Sequence, residues 1–252
     1  MSVRSMAGKR VLVTGAGRNL GRAIALAFAE AGADVIVNAR SNRAEAESVA
    51  AEAERHGVRA RALLADVSRR PDVETLMAGA LKSFGGLDVL VNNAAVRPRQ
   101  AFLEITPDEW ERVLSTNLTA MFHTCRAALP GMVERGFGRI INISGADAFI
   151  GATRRAHSVT SKAGIIGLTR ALAAEFGRCG VTANAVVPGL LDTSRDPQHY
   201  DANVLNAWRD GLPIPRDGKP EEIAALCVFL ATDDAAYITG QSIHANGGGV
   251  MW

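Results

Sequence analysis

The sequence predicts an α/β fold built on one doubly wound parallel sheet, and three observations carry that expectation. Short runs rich in Val, Ile and Leu alternate with longer helical patterns along the whole chain. The first strand and helix are joined by a glycine-rich turn, "TGAGRNLG" at 14–21. No linker, repeat or low-complexity segment interrupts residues 1–252, so a single domain is expected.

The elements follow in order. Arg10 to Thr14 is an apolar, β-branched run and reads as a buried strand; Leu20 to Ala31 reads as the helix after it. Further strands are expected at Asp34 to Asn38, Arg59 to Ala65, Leu87 to Asn92, Gly138 to Ser144, Thr182 to Val187 and Ser242 to Ala245, about seven in all. Helices are expected between them at Ala44 to His56, Asp72 to Phe84, Pro107 to Arg135 with an interruption near Thr116, His157 to Gly177, and Glu221 to Thr232. Alternation of this kind implies crossover helices on both faces of the sheet and a ligand crevice at the carboxyl ends of its strands. The longest irregular stretch, Gly189 to Lys219, reads as a lid over that crevice.

Composition narrows the function classes. The chain is 48% hydrophobic and 21% charged, enough for a large core. A formal net charge of +2 gives no electrostatic reason to expect nucleic acid or an acidic membrane surface as partner. Cys125, Cys179 and Cys227 are odd in number and widely spaced, which suits buried thiols in a reducing compartment and no metal site. The opening "MSVRSMAGKR" lacks an apolar signal core and no stretch is long and apolar enough for a membrane span, so a cytoplasmic location is expected.

The glycine-rich turn carries the first functional expectation. Gly15, Gly17 and Gly21 let the backbone turn sharply and aim amide groups and a helix N-terminus at an anion. Asn19 stands where such turns usually carry a glycine, and Asn is the residue that best tolerates a left-handed backbone. The turn is therefore expected to persist. Arg40, at the end of the second strand, and Arg18 can clamp a 2′-phosphate; the alternative is two solvated surface arginines.

Further markers recur in order: "ADV" at 65–67, "NNAA" at 92–95, "STNL" at 115–118, "IINISG" at 140–145, "SKAG" at 161–164, "PG" at 188–189 and "AAYITGQSIHANGG" at 235–248. With these the chain resembles the short-chain dehydrogenase/reductase family over nearly its whole length. In general texture it is most similar to bacterial 3-oxoacyl carrier-protein reductases. The resemblance implies a Rossmann-like domain that binds NADP(H) and transfers hydride to or from a small or acyl-type substrate. It places Gly15, Gly17, Arg18, Asn19, Leu20, Gly21, Arg40, Asp66, Val67, Asn93, Ala94, Lys162, Pro188, Gly189 and Thr193 around the cofactor. It further implies Asp66 as the acceptor of the adenine amino group, Asn92 and Ala94 on the ribose side, and pairing of the helices near Asn117 and Ser158 into a homodimer or homotetramer. The apolar tail ending in Trp252 fits such a covered surface.

The catalytic positions depart from that family. Its pattern has a Tyr four residues before the Lys, a Ser thirteen before that Tyr, and an Asn that supports the Lys. Lys162 and Asn117 match, whereas the Tyr position holds Ser158 and the Ser position holds Gly145. A serine hydroxyl is a far weaker acid than a phenol of pKa about 10 and ends roughly 4 Å short of it. The candidates for the displaced proton donor are Asp147 in the loop after the fifth strand, His157 at the start of the helix, and Tyr200 or His199 in the lid. Helical spacing turns His157 roughly 140° from Lys162, strand alternation turns Ser144 away, and Tyr237 reads as packing. The dienoyl-CoA reductases of the same family are similar in lacking the Tyr, and they reduce a conjugated C=C bond. Arg97, Arg99, Arg154 and Arg155 can meet an anionic substrate or be solvated surface charge. The functional expectation is an NADP-dependent oxidoreductase acting on a carbonyl or an activated C=C or C=N bond. The alternatives are a nucleotide-binding subunit without turnover, and a lyase, isomerase or hydrolase that reuses the crevice.

Overall fold

Val11 and Val13 turn to one face of the central sheet and Leu12, between them, to the other, which is the two-residue period of a pleated strand. Both faces are covered, so the strands are apolar runs rather than alternating ones. The computed structural model describes residues 5–194 and 202–251. Its strands are β1 (Arg10–Val13), β2 (Asp34–Ala39), β3 (Ala60–Leu64), β4 (Val89–Asn92), β5 (Gly138–Ile143), β6 (Val181–Pro188) and β7 (Ser242–Ala245). All pair in parallel, in the order β3-β2-β1-β4-β5-β6-β7. The order reverses between β1 and β4, which opens the crevice at their carboxyl ends.

The helices are α1 (Asn19–Glu30), α2 (Arg43–Glu54), α3 (Arg70–Phe84), α4 (Pro107–Leu114), α5 (Ala120–Glu134), α6 (Asp147–Ile150), α7 (Ala156–Phe176), α8 (Ala202–Asp210) and α9 (Pro220–Ala231). Ile24 and Phe28 of α1, Val49 of α2 and Ile223 and Cys227 of α9 close one face of the sheet. Leu76 and Met77 of α3, Leu129 and Met132 of α5 and Leu172 of α7 close the other. This is the expected single-domain, Rossmann-like doubly wound sheet with helices on both faces.

One expected local feature takes a specific form, and two others differ from expectation. The interruption near Thr116 is a π-helical turn over Ser115–Thr119, whose wider backbone turns Asn117 fully inward. The four-residue α6 is too short to leave a periodic signal. The stretch 189–219 is not irregular throughout: it contains α8, and it returns to pair Leu191 with Gly218, where Asp192 N donates to Gly218 O at 2.8 Å.

Two expectations about single side chains need correction. Cys125 and Cys227 are buried, their thiols pushed up to about 12 by desolvation, but Cys179 is only half-buried because it lies at the surface turn after α7. Tyr237 is fully exposed rather than packed, on the turn before β7. Among the described residues no helix is long and apolar enough to cross a membrane, and no His, Cys, Asp or Glu cluster is arranged to hold a metal.

Candidate functional site

The turn after β1 is shaped by backbone that side chains would obstruct. Gly15 has φ +61°, and a Cβ there would lie 3.0 Å from Ala94 Cα. A Cβ on Gly21 would collide with the Gly15 carbonyl oxygen and lie 2.6 Å from Asn93 Nδ2. Asn19 adopts the left-handed conformation at φ +50°, as the glycine slot requires. Its side chain adds something a glycine lacks: Oδ1 accepts from Ser194 N at 3.2 Å and Ser194 Oγ at 2.9 Å, tying the turn to the segment beyond β6 that holds Thr193. Leu20 follows as the second residue of α1.

Neighbouring strands brace the same turn. Thr14 Oγ1 accepts from Asn93 N and Ala94 N at 3.0 and 3.1 Å, while Asn93 Nδ2 donates to the carbonyls of Thr14 and Gly15. Ala16 N donates to Asn38 O at 2.7 Å. Asn93 and Ala94 therefore stand at the turn. Asn92 does not line the crevice: it is buried, its amide donating to Asn142 Oδ1 at 2.9 Å and accepting from Thr124 Oγ1 at 2.7 Å. Successive residues at a strand end face opposite ways, so Asn92 and Asn93 cannot both reach it.

Arg18 and Arg40 are exposed and make no ion pair with any described residue. Two guanidinium groups without a described ion-pair partner thus flank the glycine-rich turn. Asp66, after β3, is half-buried and accepts from Ser68 N and Oγ at 3.0 and 2.6 Å; Val67 beside it is buried. At the other end of the crevice Pro188 O accepts from Ala146 N, and a Cβ on Gly189 would sit 2.9 Å from Asn246 Cα.

Lys162 lies in the interior of α7, 6% exposed, and its Nζ donates to Ile143 O at 2.6 Å. Among the described residues no carboxylate pairs with it. Desolvation, followed by the charge of Arg97, pulls its ammonium down to about 7. Ser144 Oγ donates to the Lys162 carbonyl at 2.9 Å, so the hydroxyl next to Gly145 is spent on holding α7. Asn117 is also committed. It exchanges hydrogen bonds with Val96 N and O, at 2.8 and 2.9 Å, and donates to Ser161 Oγ at 3.1 Å, reaching no atom of Lys162. Its support of the Lys is indirect, through Ser161, which in turn donates to Ser158 O at 2.8 Å.

Ser158 stands one helical turn before Lys162, on the same side of α7. It is 4% exposed, and its Oγ has no hydrogen-bond partner. A buried orphan hydroxyl costs roughly 1–3 kcal/mol. At Gly145, two residues past the carbonyl that holds Lys162, a Cβ would meet nothing within 4 Å. The family's Tyr and Ser positions are thus marked by an unsatisfied hydroxyl and by open space.

Two of the expected proton donors are placed away from that role. Asp147 Oδ2 accepts from Arg155 Nη1 at 3.0 Å, and a carboxylate held by a guanidinium is an acceptor, not a donor. Arg155 itself is buried by this pairing rather than solvated. His157 is fully buried with Nδ1 accepting from Ser158 N at 2.8 Å, and its charged neighbours are Glu109 and Arg112 of α4. Burial lowers its pKa, which keeps the ring neutral. The helical spacing that turns it from Lys162 holds in the structure. Tyr200 and His199 lie outside the described residues, as does Trp252.

The sequence reading gave no role to Thr14, which braces the turn, or to Ser161, which links Asn117 to Ser158. Each had a signal, as the first residue of "TGAGRNLG" and of "SKAG". Asn93 and Arg97 were named, but not for bracing the turn or for biasing Lys162. His244 of β7 stacks edge-on against Phe149 of α6 at 4.5 Å, which anchors the loop after β5.

Comparison with known proteins agrees with this geometry. The family model described as enoyl-(acyl carrier protein) reductase matches residues 15–249. The 3-oxoacyl-(acyl-carrier-protein) reductase FabG of Staphylococcus aureus (strain Mu50) is 39% identical over 243 residues, covering 96% of this chain and 98% of that one. The FabG of Vibrio cholerae serotype O1 is 37% identical over 248 residues, with 98% and 99% covered. A crystal structure assigned as a short-chain alcohol dehydrogenase from Sinorhizobium meliloti 1021 superposes with a TM-score of 0.93 at 36% identity, covering 98% of each chain. A strand order that reverses at a glycine-cradled turn, together with likeness that runs the length of the chain, makes this protein a member of the short-chain dehydrogenase/reductase family.

Proposed function

We propose that the protein is an NADP(H)-dependent oxidoreductase that acts on a carbonyl or an activated C=C or C=N bond of a small or acyl-type substrate. The observation that carries this reading is Lys162: a buried ammonium without a described carboxylate partner, in a chain whose first turn is held tight by glycines packed against Ala94, Asn93 and the turn's own backbone. The matched relatives are named as acyl-carrier-protein reductases, which supports hydride chemistry on acyl-type substrates.

The residues present suit the dinucleotide. The turn from Gly15 to Gly21 and the N-terminus of α1 would hold the pyrophosphate, Arg18 and Arg40 a 2′-phosphate, and Lys162 the nicotinamide ribose. When bound, the nicotinamide supplies the hydride. The chain's own residues do the rest. Lys162 Nζ holds a proton that it can surrender near neutral pH, because burial has removed most of its preference for the charged form. Ser158 Oγ, one helical turn away and without a hydrogen-bond partner, is the hydroxyl to which we assign passing that proton on. Asn117 holds the strand-end backbone at Val96 and, through Ser161, the start of α7.

Arg40→Ala is expected to weaken NADPH binding about tenfold, the loss of one charge-assisted contact, while leaving NADH binding within about twofold. Fluorescence titration of both cofactors checks this, and an unchanged NADPH-to-NADH ratio would remove the charge argument. A substrate panel followed by NADPH absorbance, covering ketones, imines and activated alkenes, tests the reaction class. Binding without turnover on any of them would favour the nucleotide-binding subunit.

We also propose that the chain self-associates. Phe122 on α5 is 48% exposed and Met251 in the tail 78% exposed, large apolar side chains that a second copy would cover. Light scattering at micromolar concentration is expected to report a dimer or tetramer, and a monomer would overturn this.

A further inference from the structure

Resting on the NADP(H) reading, we propose that Asn19 is a gating residue: its side chain clasps Ser194 across the mouth of the dinucleotide crevice, and this clasp parts each time the cofactor enters or leaves.

Asn19 Oδ1 accepts from Ser194 N at 3.2 Å and from Ser194 Oγ at 2.9 Å, so one oxygen holds both donors of a residue 175 positions away. The sheet order shows what the clasp crosses. β1, whose turn carries Asn19, and β6, which leads to Ser194, are separated by β4 and β5. At about 4.8 Å per strand spacing the two are roughly 14 Å apart. Residues 189–194 reach at most about 20 Å when extended, so they meet Asn19 only by running across the carboxyl ends of β5 and β4. The strap they form therefore lies over the crevice that opens where the strand order reverses. Thr193, which the family resemblance places at the cofactor, is carried on it.

The two ends of the strap are held unequally. At its start Ala146 N donates to Pro188 O, Gly189 N to Ala245 O, Gly218 N to Leu190 O and Asp192 N to Gly218 O, all at 2.8–3.3 Å, and these bonds build it into the fold. At its far end the bonds to Asn19 are exposed to water. Such a strap opens at the Asn19 end. A glycine at position 19 would give the turn its left-handed backbone but no acceptor, whereas Asn supplies both at φ +50°. The departure from the glycine pattern keeps the turn and adds the clasp. Two exposed hydrogen bonds of ordinary net strength hold an equilibrium of this kind closed by about tenfold. The clasp is made of chain atoms only, so it closes over a filled crevice as over an empty one and slows entry and exit alike.

Stopped-flow fluorescence of NADPH with the full chain and with the Asn19→Gly, Ser194→Ala and double variants tests this. Asn19→Gly is expected to raise the association and dissociation rate constants together by about tenfold and to leave Kd within about threefold. Ser194→Ala keeps the backbone donor and is expected to raise both by about threefold, and the double variant should match Asn19→Gly alone. Without cofactor, hydrogen exchange at the Ser194 amide should quicken about tenfold in Asn19→Gly. Unchanged rate constants, a weaker Kd with association unchanged, or a double variant whose effect is the product of the single ones would each overturn the gate. Unchanged exchange at Ser194 would overturn the clasp itself. A wild type and variants that all fail to bind NADPH would overturn the cofactor reading, and the gate with it, whatever the exchange shows.

Discussion

Replacing Lys162 by methionine should make the protein more stable and inactive at once. The lysine's ordinary pKa of 10.5 falls to about 7 in the folded chain. Its folded value lies below its unfolded value, so the folded state binds fewer protons between about pH 7 and 10.5. Stability of the wild type therefore rises with pH across that window, and the full penalty, at most roughly 5 kcal/mol, is present at and below about pH 7. Methionine keeps the length of the side chain and removes the charge. Loss of the bond to Ile143 O offsets about 1 kcal/mol of the gain. The net expectation at pH 7 is about 2–3 kcal/mol, or about 4–12 °C in melting temperature for a domain of this size. The advantage should narrow as pH rises toward 10. Turnover should fall by about 10²- to 10⁴-fold, because the proton-holding group is gone. Thermal melts at pH 6, 8 and 10 with parallel assays check both halves. An unchanged melting temperature, or a variant whose advantage is independent of pH, would mean that Lys162 is solvated or paired in solution.

The second large effect is expected from rebuilding the family's missing pair, Ser158→Tyr with Gly145→Ser. The serine enters open space, so Gly145→Ser alone should fold like the wild type. The phenol would stand beside Lys162, whose charge would lower its pKa toward neutrality and make it a donor. Reduction of simple ketones should then rise by about 10²- to 10⁴-fold. Turnover of the substrate that the wild type accepts should fall by about 10²-fold, since the larger ring crowds the region beside Lys162. Measuring kcat/KM for a simple ketone and for that substrate in the same preparation separates the two. A ketone gain with native turnover unharmed would show that the departures are loss rather than adaptation.

The turn illustrates how far local sequence reaches. Gly15, Gly21 and Asn19 announced their conformations because each needs something of its own backbone, a positive φ or a missing Cβ, that depends on neighbours in sequence. That Asn19 also grips Ser194, 175 residues away, was invisible, because nothing in either local pattern records the partner. Asn92 shows the converse. The motif "NNAA" marks its position well, yet whether the first or second asparagine faces the crevice depends on how β4 is seated between β1 and β5.

Fold class and strand number were legible in the sequence alone, because apolar periodicity and glycine spacing are one-dimensional signals of local geometry, while positions 145 and 158 stood out only against the family's pattern. Tertiary structure alone decided which partners surround those positions. It bound Asp147 to Arg155, turned His157 toward α4, spent Asn117 on Val96, and left Lys162 without a described carboxylate and Ser158 Oγ without a hydrogen-bond partner. The reason is physical: the chemistry of a buried ionisable group is set by desolvation and by the charges around it, and both are sums over residues that only folding brings within reach.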